Sequence, residues 1–109
     1  MHRVNVKPLS VNECWQGQRF KTPNYKSYEK KLFQKLPKVL VENDKKLMLN
    51  VSVGFSSKLS DVDNILKPLL DILQKRYKFN DRNIYKLSIS KTDVKKGEEF
   101  IEFEFFVLD

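Results

Sequence analysis

Apolar and polar residues alternate in four stretches of the chain and recur at helical spacing in two. Leu47, Leu49, Val51, Val53 and Phe55 alternate with Met48, Asn50, Ser52 and Gly54, the pattern of a strand with one buried face. Residues 84–91 alternate with Tyr85, Leu87 and Ile89 on one side. Residues 99–108 set Ile101, Phe103 and Phe105 against Glu102 and Glu104. Val4 and Val6 make a short first strand that Pro8 ends. Tyr25, Tyr28, Leu32, Phe33 and Leu36 predict an amphipathic helix over 25–36, with Lys26, Lys30, Lys31 and Lys35 on its other face and Pro37 stopping it. Ile65, Leu66, Leu69, Leu70, Leu73 and Tyr77 predict a second helix. Ser60, Asp61, Asp63 and Asn64 precede or open it, and these are capping types. Pro68 must fall near its first turn or kink it.

Leu9 to Asn24 has no period and reads as an irregular arm that mixes Trp15 and Phe20 with Arg19 and Lys21. The loop Thr92 to Glu98, with Gly97, can join the last two strands as a hairpin. The order strand, arm, helix, strand, helix, strand, strand predicts an α+β fold. A mixed four-stranded sheet covered by two helices, in one domain over residues 1–109, fits it.

Charge alters this picture more than composition does. The net charge is +7, and it is uneven. Residues 1–60 hold 12 Lys/Arg against 4 Asp/Glu, and residues 61–109 hold 9 against 10. A basic region beside a concentration of acids points to a polyanionic partner, nucleic acid before others. Lysine used for solubility explains the charge equally well. Cys14 is the one cysteine, so no intramolecular disulfide and no cysteine-rich metal site is possible. A reduced, cytoplasmic setting is expected. No apolar run approaches the roughly 18 residues of a membrane span, and the first residues lack the apolar stretch of a signal peptide.

Candidate chemistry is concentrated in 61–81. Asp61 and Asp63 are two apart, so an extended backbone turns both carboxylates one way. Such a pair repels unless a cation, a proton or a basic group intervenes. Carboxylates without His or Cys suit hard ions such as Mg²⁺. Asp63, Lys67 and Asp71 step by four and share one helix face, opposite the leucines, and Asp81 stands just before the next strand. Each has a plainer reading. Asp61 or Asp63 can be a helix cap, Lys67 and Asp71 a surface ion pair, and Asp81 a turn residue. His2 has no metal role to play alone, and Cys14 reads as a buried thiol rather than a nucleophile. The lysine face of residues 26–35 reads as solvated.

Asp61-Val62-Asp63-Asn64-Ile65-Leu66-Lys67, followed by Asp71-Ile72-Leu73, resembles the signature of RusA-type Holliday junction resolvases, D-x-D-N-x-x-K and then D-x-L. Asn80-Asp81-Arg82-Asn83-Ile84 is similar to the segment that follows the helix in that family. Pro8 to Asn12, with Trp15, Arg19, Lys21 and Thr22, is similar to its N-terminal arm. One departure stands out: many members carry two successive aspartates where this chain has Asn80 and then Asp81.

The resemblance implies a RusA-like fold and a Mg²⁺-dependent endodeoxyribonuclease. Such an enzyme resolves four-way or branched DNA by paired symmetric nicks in recombination and repair. It implies that Asp61, Asp63 and Asp81 hold the metal and, with Lys67, are catalytic, and that Asn64 and Asp71 support them. Arg19, Lys21, Lys75, Arg76 and Arg82 are expected to hold the DNA. The helix from Asp63 to Tyr77 spans about 20 Å, so Asp81 and the Asp61–Asp63 pair stand at opposite ends of it. A two-fold homodimer would reunite them. A non-catalytic branched-DNA-binding protein is the alternative. A basic RNA-binding domain would explain the charge but not the acids.

Overall fold

The computed structural model describes residues 2–16, 20–57 and 61–108, including the side chains of all of these except Asn12, Trp15, Gln16 and Phe20. Four strands form one mixed sheet: β1 (His2–Val4), β4 (Lys46–Phe55), β5 (Ile84–Asp93) and β6 (Phe100–Leu108), in the spatial order β1-β6-β4-β5. Two helices, α1 (Pro23–Lys35) and α2 (Val62–Tyr77), cover one face of it. The α+β expectation therefore holds.

The sheet follows from its side chains. Leu47, Leu49, Val51, Val53 and Phe55 of β4 are all buried, with Ile101 and Phe103 of β6 beside them under Tyr25, Leu32, Ile65, Leu69 and Leu73. These residues form one apolar core. Burying such side chains contributes roughly 1.5–3 kcal/mol each, and this holds the helices on the sheet. The other face is more polar, with Ser52 and Ser90 hydroxyls 2.9 Å apart across β4 and β5. There Phe100 lies opposite Gly54, and a Cβ at Gly54 would come within 2.3 Å of its ring. The Arg3 guanidinium covers that ring at 4.0 Å.

The connections depart from expectation in three places. The last two strands do not form a hairpin. β5 pairs parallel with β4, whereas β6 pairs antiparallel with β4 on its other side and with β1. The reason is burial: Ile101 and Phe103 need an interior strand, while Lys86, Ser88 and Ser90 suit an edge. The loop 94–99 steps over the end of β4, where the Val94 N–H donates to the Phe55 carbonyl. Second, the chain leaves the sheet after Val4, turning so that the Val6 N–H donates to the Val4 carbonyl while Val6 stays buried. Third, the arm is ordered where described. It has a short 3-10 turn at Val11–Glu13, then β2 (Trp15–Gln16) paired antiparallel with β3 (Phe20–Lys21). It ends at Thr22, whose hydroxyl caps α1 by accepting from the Tyr25 N–H, with Pro23 as first helical residue.

Candidate active site

The acidic signature opens α2. Asp61 occupies the N-cap position with extended backbone, yet its side chain makes no capping hydrogen bond. Its carboxylate is exposed and makes no hydrogen bond or ion pair among the described residues, contrary to the plain cap reading. Asp63, also exposed, accepts from the Asn64 N–H at 3.0 Å through Oδ1. Lys67 follows one turn later on the same face, exposed and in no ion pair among the described residues. Pro68 is further in than the first turn. Lacking an N–H, it leaves the Asn64 carbonyl without its helical donor.

The face carrying Asp63, Lys67 and Asp71 borders the N-terminal arm, since the 3-10 turn of residues 11–13 packs on α2. Half-buried Asp71 is near enough to Cys14 and Tyr25 for its charge to act on both. Burial, aided by Glu13 and Asp71, pushes the Cys14 thiol up to about 11. It stays protonated at neutral pH, fully buried, with its sulfur donating to the Ser10 carbonyl at 3.3 Å. Such a thiol is no nucleophile.

Asp81 is at the opposite end of α2. The helix ends at Lys78, which takes a left-handed conformation (φ 59°, ψ 47°). A 3-10 turn, Asp81–Asn83, then leads into β5. Asn80 caps that turn by accepting from the Arg82 N–H at 3.0 Å, so the residue that replaces an aspartate of the family pattern has a structural task. The Asp81 N–H donates to Gln74 Oε1 at 2.9 Å, and its carboxylate is exposed. Sixteen residues of α2 place the two acidic positions about 24 Å apart. No group of three or more His, Cys, Asp or Glu side chains gathers among the described residues. One chain therefore keeps Asp81 at the far end of α2 from Asp61 and Asp63. Asp61 and Asp63 fit a hard cation, for Mg²⁺ takes one or two carboxylates and fills its other positions with water and phosphate oxygens.

The basic residues divide into two groups. Lys21 and Lys75 converge on Glu29 of α1, at 3.3 and 3.0 Å from Oε2. Burial alone would raise the Glu29 carboxyl, but the hydrogen bonds from Lys75 and Lys21 outweigh it and hold it below the usual carboxylate range. Sequence reasoning missed Glu29, which reads there only as a polar position on a lysine-rich helix. Arg76, half-buried with its guanidinium 5.4 Å from the Tyr77 ring, and exposed Arg82 flank the Asp81 end. Arg19 and the side chains of Trp15 and Phe20 lie outside the described residues, as does Ser60.

Compared with known proteins, residues 11–104 match the family described as endodeoxyribonuclease RusA. No curated protein matches the chain.

Proposed function

Because the chain belongs to the RusA family of endodeoxyribonucleases, we propose that it resolves four-way DNA junctions by paired, symmetric phosphodiester hydrolysis, as a homodimer with Mg²⁺. The observation that carries this reading is the Asp61 carboxylate at the α2 N-terminus, which makes no capping hydrogen bond, with Asp63 two residues on and, one turn beyond, Lys67 in no ion pair among the described residues. A structural cap would spend the first, and a surface ion pair the last. On this reading Asp61 and Asp63 hold the ion, and Asp81 of a second copy completes the set.

A divalent cation bound there supplies Lewis acidity and charge neutralisation at the scissile phosphate. Lys67 offsets negative charge that builds on the phosphate oxygens. Asn64 and Asp71 brace the same helix face. Arg19, Lys21, Lys75, Arg76 and Arg82 hold the backbone of the junction arms, which makes binding salt-dependent. The protein works as one RusA-like domain over residues 1–109, in the cytoplasm. No described helix is long and apolar enough to cross a membrane.

The test is nicking of a synthetic four-way junction with Mg²⁺, beside linear duplex and an Asp63→Asn variant. Paired nicks on the junction alone, lost in the variant, are expected. Equal junction binding by both proteins without nicking would make it a branched-DNA-binding module and withdraw the catalytic roles.

A further inference from the structure

The N-terminal arm runs antiparallel to α1, and a groove opens between them. The Lys35 ammonium donates to the Asn5 carbonyl at 3.2 Å, Leu9 lies beside Tyr28, and the Thr22 hydroxyl donates to the Glu13 carbonyl. The groove has a volume of about 450 Å³, within the range of small-molecule sites, roughly 300–1,000 Å³. Its α1 wall is one stripe: Asn24, Ser27, Tyr28, Lys31 and Lys35. At 100° per residue that stripe is on the far flank of the helix from Glu29, whose partner Lys75 belongs to α2. No residue of α2 lines the groove.

One wall holds an unused hydroxyl. Tyr28 lines the groove, is 4% exposed, and its hydroxyl finds no hydrogen-bond partner among the described residues. The Leu9 backbone N–H near it can only donate, so the hydroxyl proton has no acceptor. Burial pushes the hydroxyl well above the ordinary tyrosine value, so it stays protonated at neutral pH. A buried hydroxyl donor is normally matched by an oxygen, and the chain supplies none here.

Charge along the groove is graded. Lys7, Lys31 and Lys35 line the end near Asn5, and none of them forms an ion pair among the described residues. Cations gathered without a carboxylate between them attract an anion. The other end, near Thr22, has the Glu13 carboxylate, the Asn24 amide and the Ser27 hydroxyl. Asn24 and Lys31 are seven residues apart, about 10 Å along the helix axis. That is the reach of one nucleotide from its phosphate to the far edge of its base.

We propose that this groove binds one nucleotide, with its phosphate among Lys7, Lys31 and Lys35, its base toward Glu13 and Asn24, and Tyr28 donating to an oxygen between them. The base carries an amino group. A carboxylate only accepts, and an amino group donates to it, as cytosine N4 does to an acidic side chain. Thymine flanks its one donor with two carbonyl oxygens, which Glu13 repels. The nucleotide arrives free or as an unpaired residue of a DNA strand, since both present the same phosphate and base. The site is independent of the catalytic reading, because it uses none of the residues assigned there.

Calorimetric titration of the whole chain with dGMP tests this without reference to nicking. EDTA is present throughout, so that no phosphate is held through a metal ion. Binding of dGMP is expected to be about tenfold tighter than that of dTMP or inorganic phosphate. Tyr28→Phe and Lys31→Gln should each weaken it about tenfold, the loss of one hydrogen bond to a charged group, with circular dichroism unchanged. Glu13→Gln should erase the preference for dGMP over dTMP. The pentanucleotide TTGTT separates the two sources. Binding as tight as dGMP, and equally weakened by Tyr28→Phe, assigns the groove to a DNA strand, and weaker binding assigns it to the free nucleotide. No dGMP binding, equal affinity for dGMP and inorganic phosphate, or dGMP affinity unchanged in both Tyr28→Phe and Lys31→Gln would overturn the site.

Discussion

The side chain of Gln74, in the last turn of α2, accepts the backbone N–H of Asp81 at 2.9 Å. Its amide also donates to the Leu70 carbonyl at 3.3 Å, which fixes the orientation of the acceptor. Gln74 is thus a positioning residue for a carboxylate it does not touch. Gln74→Ala should lower single-turnover nicking about fivefold, the equivalent of one hydrogen bond of about 1 kcal/mol. Junction affinity should stay unchanged. A fall in thermal stability with no change in nicking rate would show the bond to be structural only.

If each site draws on two chains, two dead variants should rescue one another. Asp63→Asn and Asp81→Asn are each expected to be inactive alone. Mixed in equal amounts after joint refolding, roughly half the dimers are heterodimers by random pairing, each with one intact site. Single-strand nicking should return to about a quarter of the wild-type level, with paired nicking still low. No rescue in mixtures shown to contain heterodimers would place all the carboxylates of a site in one chain.

Glu29 competes with DNA for the two cations it pairs with, Lys21 and Lys75. Glu29→Gln should release Lys21 and Lys75 and steepen the dependence of log K on log salt by about 0.9 to 1.8. The same variant carries a pH signature. The Glu29 carboxyl is held low in the folded state. Its stabilisation is therefore complete above the unfolded carboxylate value of about 4.3 and is lost as pH falls through the lower folded value. Denaturant titrations should show a wild-type advantage at pH 7 that shrinks below about pH 4.

Gly54 and Phe100 form a close contact on the open face. Gly54→Ala would place a methyl carbon 2.3 Å from the Phe100 ring, which must then tilt away from Arg3. A cost of about 1–3 kcal/mol is expected, read as a lower melting temperature. Gly54→Ala combined with Phe100→Leu should recover part of it.

Much of this architecture was legible from spacing alone. The alternation in β4 and β6 and the leucine stripe of α2 each report a face that burial dictates, so they survive folding unchanged. The β5–β6 hairpin failed because loop length and Gly97 are compatible with either connection. Which strand becomes interior depends on burial compared across the whole sheet. The Asp61–Asp63–Lys67 ridge was visible because it is local, within two helical turns. Glu29 was invisible because its partners, Lys21 and Lys75, come from different elements, and no sequence interval marks their meeting.

The crossover from β4 through α2 to β5 has one more consequence. Asp61 stands at the first end of α2 and Asp81 in the turn hydrogen-bonded to its last, so the helix is a ruler. Adding one residue would move the far mark by about 1.5 Å and swing it through 100°. Surface loops of this chain can change length at little cost, but α2 cannot. On the shared-site reading proposed above, its residue count sets how far apart a pair of such enzymes can place two cuts.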